Sequence, residues 1–542
     1  MDTKIAQLVY ELYGVEVDVK LTRPDPQFGD YATNVALQIA REVGKNPRQI
    51  AVELMEHLQA SREFGKITIA GPGFLNITLG SKALLAQLNE QPLKEREGQT
   101  VVIETNNPNP FKAMHIGHAY NAILADTIAN LYAADGADVH RVSYHGDVGL
   151  HVGKSMYSLL RYVDGDIQRL HTIPKNERNS FMSRMYAEGS NIYNEDESAK
   201  AEIDDLAKQS FEPQSAIYTQ IYDLVKAWSF EEIDKIVMRL GNVPIERRYV
   251  ESQTEDPGKK LIMDKTPEIF EKSGNAYIFE GSKYKSFDNV YIASNGNGLY
   301  GAHDMGLIQL KYSDYPDLDV SVVVTGSDQG VYFIGVIAAS ELAIPALKGK
   351  LKSVTTGVVK LSTGKMSSRT GDVIEIGWLF DEFKNAIIER EGKPEDEIVA
   401  GALRYQFLKV KIGGDVVFDI NEAVSLTGNT GSYLQYTHAR ARSILAKVEQ
   451  VNELDEVRAE DLAIVRKLGQ YNETVAHAQK LLEPHHICTY LFELAQEFNR
   501  YYETNQVIGS DLEAHRVALV KVYADTLQKG LGLLGIAAPD KM

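Results

Sequence analysis

The chain has one cysteine among 542 residues, Cys488. No intramolecular disulfide can form, and no multi-cysteine zinc site can be built, so no structural zinc is expected. No apolar run approaches the ~20 residues that a membrane-spanning helix requires. The opening Met-Asp-Thr-Lys-Ile-Ala-Gln-Leu mixes charge through an amphipathic pattern and does not read as a secretory leader. Positive charge is also short, with 57 Lys and Arg against 75 Asp and Glu and a net charge of −18. Such a field opposes nonspecific nucleic-acid binding and leaves only local basic faces for a polyanion. No internal repeat or low-complexity segment stands out. These absences point to a cytoplasmic globular protein with no membrane partner.

What is present fills several domains. Hydrophobic content of 44% and charged content of 24% are ordinary for a globular chain. A length of 542 residues suggests three or four domains. Residues 1–95 mix a helical stripe (Ile5, Leu8, Val9, Leu12) with an alternating stretch over 66–79 that reads as a strand pair around Gly71-Pro-Gly73. Residues 91–97 read as a linker. Residues 160–290 are rich in charge and helix formers and read as an insertion, after which strands resume near Val290 and Val320. From about 430 the pattern is helical, with one apolar stripe at Ile487, Tyr490, Leu491, Leu494, Phe498 and Tyr501 and another at Val517, Val520, Tyr523 and Leu527. Cys488 lies in the first stripe, where a buried, inert thiol is expected.

Two segments carry chemistry. Residues 100–104 read as a buried strand, and 105–114, with two prolines and three asparagines, cannot continue it. From 115 onward Ile116, Ala119, Ile123, Leu124, Ile128 and Leu131 recur at helical spacing, and 139–144 reads as the next strand. His115 and His118 therefore sit one turn apart where a helix begins. Ring N–H groups beside free backbone N–H groups and a positive dipole end suit a polyphosphate. Capping or surface histidines are the bland alternative. Far downstream an apolar run over 354–361, read as strand, leads into Leu361-Ser-Thr-Gly-Lys365-Met366-Ser367-Ser368-Arg369-Thr-Gly-Asp372. Small residues let such a loop approach a ligand, while Lys365 and Arg369 can neutralise phosphate charge.

A histidine pair at a helix start, combined with a distant Lys-Met-Ser loop, resembles the class I aminoacyl-tRNA synthetases. The flanks narrow this. Val102-Ile-Glu104-Thr-Asn-Asn-Pro-Asn109, with Lys112 and Met114 leading into the histidines, is similar to arginyl-tRNA synthetases. So are Lys-Met-Ser-Ser-Arg-Thr-Gly-Asp, Phe28-Gly-Asp-Tyr-Ala-Thr-Asn-Val-Ala36, Ala70-Gly-Pro-Gly-Phe-Leu-Asn-Ile77 and Gly428-Asn-Thr-Gly-Ser-Tyr-Leu-Gln-Tyr-Thr-His-Ala-Arg440.

The resemblance implies an α/β fold, namely a Rossmann-type parallel-sheet catalytic domain (96–429) with a connective insertion at 160–290. A small α+β domain (1–95) contacting tRNA would precede it, and an all-α anticodon-binding bundle (430–542) would follow. It implies a ligase joining L-arginine to tRNA-Arg with ATP and Mg²⁺, as a monomer, by way of arginyl-adenylate and the terminal 2′-OH. His115, Gly117, His118, Lys365, Met366 and Ser367 would bind ATP, with Gly117 leaving room for adenine. Glu104, Asn109, Tyr300, Asp304 and Gln329 would bind arginine, Glu104 and Asp304 on the guanidinium. Tyr433, Gln435, Tyr436 and Arg440 would meet tRNA. Further basic candidates for that face are Arg404, Lys409, Lys411, Arg442, Arg516 and Lys521.

This chain departs from the two-lysine loop, having Ser368 in the second position, and Lys112 is the expected substitute cation. His145-Gly-Asp-Val-Gly-Leu-His151 also differs from many members, although Asp147 and Gly149 are kept. A small-molecule nucleotidylyltransferase shares the histidine helix but lacks the helical bundle. A catalytically idle tRNA-binding relative would not need the intact histidines, Lys365 and carboxylate pocket.

Overall fold

In a computed structural model of the chain, residues 1–60, 64–362 and 374–542 are described. They form two compact units that do not follow chain order, one of residues 93–439, 475–492 and 528–542, the other of 1–92, 440–474 and 493–527.

The larger unit is built on a five-stranded parallel sheet. Its strands are β1 (Thr100–Glu104), β2 (Asp138–His145), β3 (Arg247–Val250), β4 (Leu318–Gly326) and β5 (Leu351–Thr356), in the order β5-β4-β1-β2-β3. Val101, Val102 and Ile103 are fully buried, as a strand covered on both faces requires. The crossover from β1 to β2 is helix α1 (Ile116–Ala134), whose Ala119, Ala122, Ala125 and Ala129 are buried. Strand order reverses between β1 and β4, and such switch points open a crevice at the strands' carboxyl ends. Glu104 ends β1 there, paired with Val323 of β4.

Three sequence expectations change. The run 354–361 is not one strand, because β5 ends at Thr356 and Val359–Leu361 pairs instead with Val416–Phe418. Gly357 marks the break, where a Cβ would lie 2.2 Å from the Gly414 carbonyl oxygen, so backbone must pass backbone. Asn289–Ile292 pairs antiparallel with Ala276–Phe279 in a separate three-stranded sheet. Within the stretch 160–290, β3 is an edge strand of the parallel sheet itself. Helices Leu150–Val163, Arg178–Glu195, Glu197–Gln209 and Ala216–Arg239 precede it and share a core that includes Phe181, Ile203, Tyr218 and Trp228.

In the smaller unit Phe64–Ala70 and Phe74–Leu79 form the anticipated antiparallel pair, and Tyr31–Thr33 adds a third strand. Gly29, at φ +122°, admits no side chain, since a Cβ would meet the Ile77 carbonyl oxygen at 2.8 Å. Asp30 accepts from the Leu79 amide at 2.7 Å and pairs with Arg466 at 2.8 Å. Arg23 pairs with Glu473 at 2.8 Å. Both apolar stripes of the C-terminal helices are buried.

Arg404, expected on a tRNA-facing surface, is instead fully buried in the larger unit. Its Nε donates to the Leu534 carbonyl at 2.7 Å, Nη1 to the Leu240 carbonyl and Asn242 Oδ1 at 3.0 and 2.5 Å, and Nη2 to Asp126 Oδ2 and Thr127 Oγ1 at 2.9 and 3.2 Å. That satisfies all five guanidinium donors. Removing the cation leaves Asp126 buried against less charge, which costs about 3–5 kcal/mol. Arg404→Leu should therefore lower the melting temperature by several degrees, and Asp126→Asn in the same chain should recover part of the loss. An unchanged melting temperature would show the pair to be dispensable.

Candidate active site

His115 is the N-cap of α1, and the two histidines lock each other. His118 N–H donates to His115 Nδ1 at 3.4 Å, and His115 N–H donates to His118 Nδ1 at 3.3 Å. The rings stack with centroids 3.6 Å apart. Because both Nδ1 atoms accept, the proton of each neutral ring belongs on Nε2, leaving two Nε2–H donors. Burial, with Lys112 nearby, pushes His115 down to about 4, and burial holds His118 well below the usual histidine range. Burial likewise lowers Lys112. Gly117 lies against the His115 ring, 3.2 Å from where a Cβ would stand.

Residues Lys365, Met366, Ser367, Ser368 and Arg369 lie outside the described residues. The described chain on either side of them is anchored. Val359–Leu361 is paired as above, and beyond the loop Ile116 N–H donates to the Ile374 carbonyl at 2.9 Å and Ile376 N–H to the Met114 carbonyl at 3.1 Å. The chain leaving the loop therefore pairs with the backbone of the histidine motif.

A cavity of about 980 Å³ opens at the switch point, lined by Glu104, Asn109, Lys112, His118, Tyr300, Asp304 and Gln329 among others. Residues far apart in sequence are thus brought together. Glu104 Oε2 accepts from Asn107 Nδ2 at 2.8 Å, and its Oε1 accepts from Lys311 Nζ at 2.6 Å. Asn109 Oδ1 accepts from the Gly146 amide at 3.0 Å. Helix α2 (Tyr300–Asp314) carries both Tyr300 and Asp304. Asp304 accepts a hydrogen bond from the Tyr332 hydroxyl. Burial pushes its carboxyl up to about 7 despite that bond. Tyr300 is 79% exposed at the mouth. Gln329 is also exposed, its amide donating to Asp328 at 3.0 Å.

Tyr144, Lys311 and Tyr332 also line the cavity and were not anticipated. Lys311 had a usable signal, since it stands seven residues beyond Asp304, two helical turns along one face. The divergent segment after β2 finds its polar partners within the larger unit. Asp147 is fully buried and accepts from Tyr222, Lys226 and Ser252, and His151 Nε2 bonds the Gly146 carbonyl at 2.8 Å.

The helix Gly431–Leu445 does not present its four expected residues alike. Gln435 is fully buried, its amide donating to the Glu397 and Ala537 carbonyls at 3.2 and 3.0 Å, so it offers no surface to RNA. Tyr433 is buried edge-on against Phe492. Tyr436 is 38% exposed, and the Arg440 guanidinium lies 4.4 Å over the Tyr502 ring. Among the described residues one group has metal-ligating chemistry, Glu483, His485 and His486, and none of the three lines the cavity.

The pH behaviour of the histidine pair follows from the direction of its shift. The folded conformation favours the neutral rings. Their full contribution to stability is therefore present above about 6.5 and is lost as pH falls toward the His115 value of about 4. Proton NMR of the histidines should show the His115 resonance flat from neutrality down to about pH 5.5. A midpoint at the ordinary histidine value would overturn the reciprocal cap.

Comparison with known proteins agrees with this architecture. The family model for the arginyl tRNA synthetase N terminal domain matches residues 1–79, that for the tRNA synthetases class I (R) catalytic domain matches 81–415, and that for the DALR anticodon binding domain matches 434–542. The arginine–tRNA ligase of Parasynechococcus marenigrum is 30% identical, over 95% of this chain and 93% of its own. That of Bacteroides thetaiotaomicron is 27% identical, over 98% and 97%. The solved Thermus thermophilus arginyl-tRNA synthetase superposes with a TM-score of 0.81 at 25% identity, covering 100% of this chain and 99% of that one. With its catalytic-domain model spanning residues 81–415 of 542, the chain belongs to the class I (R) family of tRNA synthetases.

Proposed function

We propose that the chain activates L-arginine with ATP, releasing pyrophosphate, and transfers the arginyl group to the terminal 2′-OH of tRNA-Arg. The observation that carries this reading is the shared cavity, in which two carboxylates, Glu104 and Asp304, stand with His118 and Lys112 at the switch point of a parallel sheet. A planar cation is matched best by carboxylates, and a polyphosphate by a helix start with neutral donors. Activation brings two anions together, so the chemistry rests on positioning and electrostatic stabilisation. His115 and His118 donate through Nε2–H to the phosphates. Glu104 and Asp304 take the guanidinium, Asn109 the α-amino end, with Tyr300 and Gln329 at the rim. Lys365, Met366 and Ser367 bind ATP, and Lys365 and Arg369 neutralise charge developing on its phosphates.

His115, His118 and Lys112 are nitrogen groups, whereas Mg²⁺ takes oxygen ligands. These residues do not fit a magnesium ion, which would be brought by the nucleotide and would offset its phosphate charge. In the tRNA complex, residues 1–95 and the helical region 430–542 contact the RNA, with 96–429 as the catalytic domain. Tyr436 and Arg440 are the members of the expected set that suit unstacked bases. We take the working form to be a cytoplasmic monomer. No described helix is long and apolar enough to cross a membrane.

Arginine-dependent ATP–pyrophosphate exchange, with and without cognate tRNA, tests this reading. Exchange is expected, and only with tRNA if tRNA binding completes the site. Absence of both exchange and arginine charging would leave a tRNA-binding protein without catalysis. Lys112→Ala should slow activation about 10²–10³-fold, the scale of one lost electrostatic donor. A rate within a few-fold of the parent would show that Lys112 does not stand in for the missing loop lysine.

A further inference from the structure

Lys311 has no part in the reading above, yet it is 3% exposed in the wall of the same cavity. Its ammonium donates to Glu104 Oε1 at 2.6 Å and to Ser321 Oγ at 3.0 Å. Burying an ammonium costs several kcal/mol unless a partner compensates. Glu104 and Asp304 face one space, and two neighbouring carboxylates without a cation hold a proton between them. With Lys311 in place the three groups sum to one negative charge when both carboxylates are ionised, which is the complement of a single guanidinium.

We propose that Lys311 is a positioning residue for arginine recognition, holding Glu104 ionised and fixed so that Glu104, Lys311 and an ionised Asp304 together present one net negative charge to the guanidinium. This rests on the proposed arginine pocket. The groups acting most directly on these carboxylates, apart from Lys311, are tyrosines and a third acid. Tyr332 donates to Asp304 from the helix Gly330–Ala343, Tyr144 and Tyr291 act on the same charges from β2 and the strand Asn289–Ile292, and Glu251 stands near Asp304. The tyrosines stay neutral near pH 7, their hydroxyls pushed up by burial. Lys112, His118 and Lys352 line the cavity as well. Among these cations it is Lys311 that forms an ion pair with Glu104.

The test uses the full chain charging cognate tRNA, with KM for arginine followed between about pH 6 and pH 8 for the parent, Lys311→Met and Lys311→Arg. Lys311→Met should raise KM about ten-fold or more at the acid end, the effect of moving an ionisation by a unit, and the gap should narrow as pH rises. Lys311→Arg should keep the parent's pH slope. A Lys311→Met defect equal at every pH, or confined to kcat, would overturn the proposal in favour of simple packing.

If the methionine variant does not fold, a chain that keeps Lys311 decides. Arginine is titrated calorimetrically into the enzyme–tRNA complex near pH 6, in buffers of different ionisation enthalpy. Release of no more than one proton, from Asp304, is expected once Glu251, also raised to about 7, is replaced by Gln, and release approaching two in that variant would mean that Glu104 is not held ionised. If the arginine reading itself were wrong, the parent would show no arginine-dependent charging, an outcome distinct from both.

Discussion

One buried guanidinium fixes the helix on which the site depends. Asp126 lies on α1, the same helix that begins at His115. It is held by Arg404, by Arg141 at 3.5 Å and by the Val243 amide at 3.0 Å. Arg404 reaches onward to the turn at Leu240 and to the Leu534 carbonyl. A histidine pair can offer two donors in register only if its helix neither slides nor rotates. The network that prevents this lies far from the phosphate end and contributes through position alone. Gly535 is part of the same constraint, since a Cβ there would fall 2.1 Å from Arg404 Nη2.

At four groups around the cavity, charge is either paired or suppressed. The histidines are neutral by burial, Asp304 titrates near neutrality, and Glu104 is compensated by Lys311. A site that must gather a carboxylate, a triphosphate and a guanidinium gains by holding little free charge beforehand, because each ligand then brings its own counterpart. The helix N-terminus adds a fixed positive end that needs no ionisation.

Much of this was legible in the sequence because it is local. The strand at 100–104, the break imposed by prolines and asparagines, the helix from 116 and the strand pair around Gly71 and Gly73 all depend on neighbouring residues. So do the C-terminal apolar stripes. Residues that resemble family motifs also converged on one cavity although Glu104 and Gln329 are widely separated in sequence. What could not be read is partnership. Composition marks 160–290 as a helix-rich insertion without revealing that 247–250 joins the parallel sheet, and the strand near Val290 gives no sign that it pairs in a separate one. The run 354–361 reads as continuous because nothing local reveals that Gly357 must pass Gly414. Arg404 and Gln435 look like surface polar groups until their acceptors at Leu534 and Ala537 are known.

The reach of Arg404 has a kinetic side. Its Nε acceptor is made 130 residues after it. At roughly 5–20 residues per second a ribosome takes on the order of ten seconds to deliver that carbonyl. The larger unit also draws on residues 528–542, while residues 440–474 and 493–527, made in between, belong to the smaller unit. When residue 404 has emerged its partners at Asp126, Thr127, Leu240 and Asn242 are already made, and only the Nε donor lacks its acceptor. A chain stalled before residue 534 would carry that one guanidinium donor without its carbonyl, which in a buried site costs about 1–3 kcal/mol.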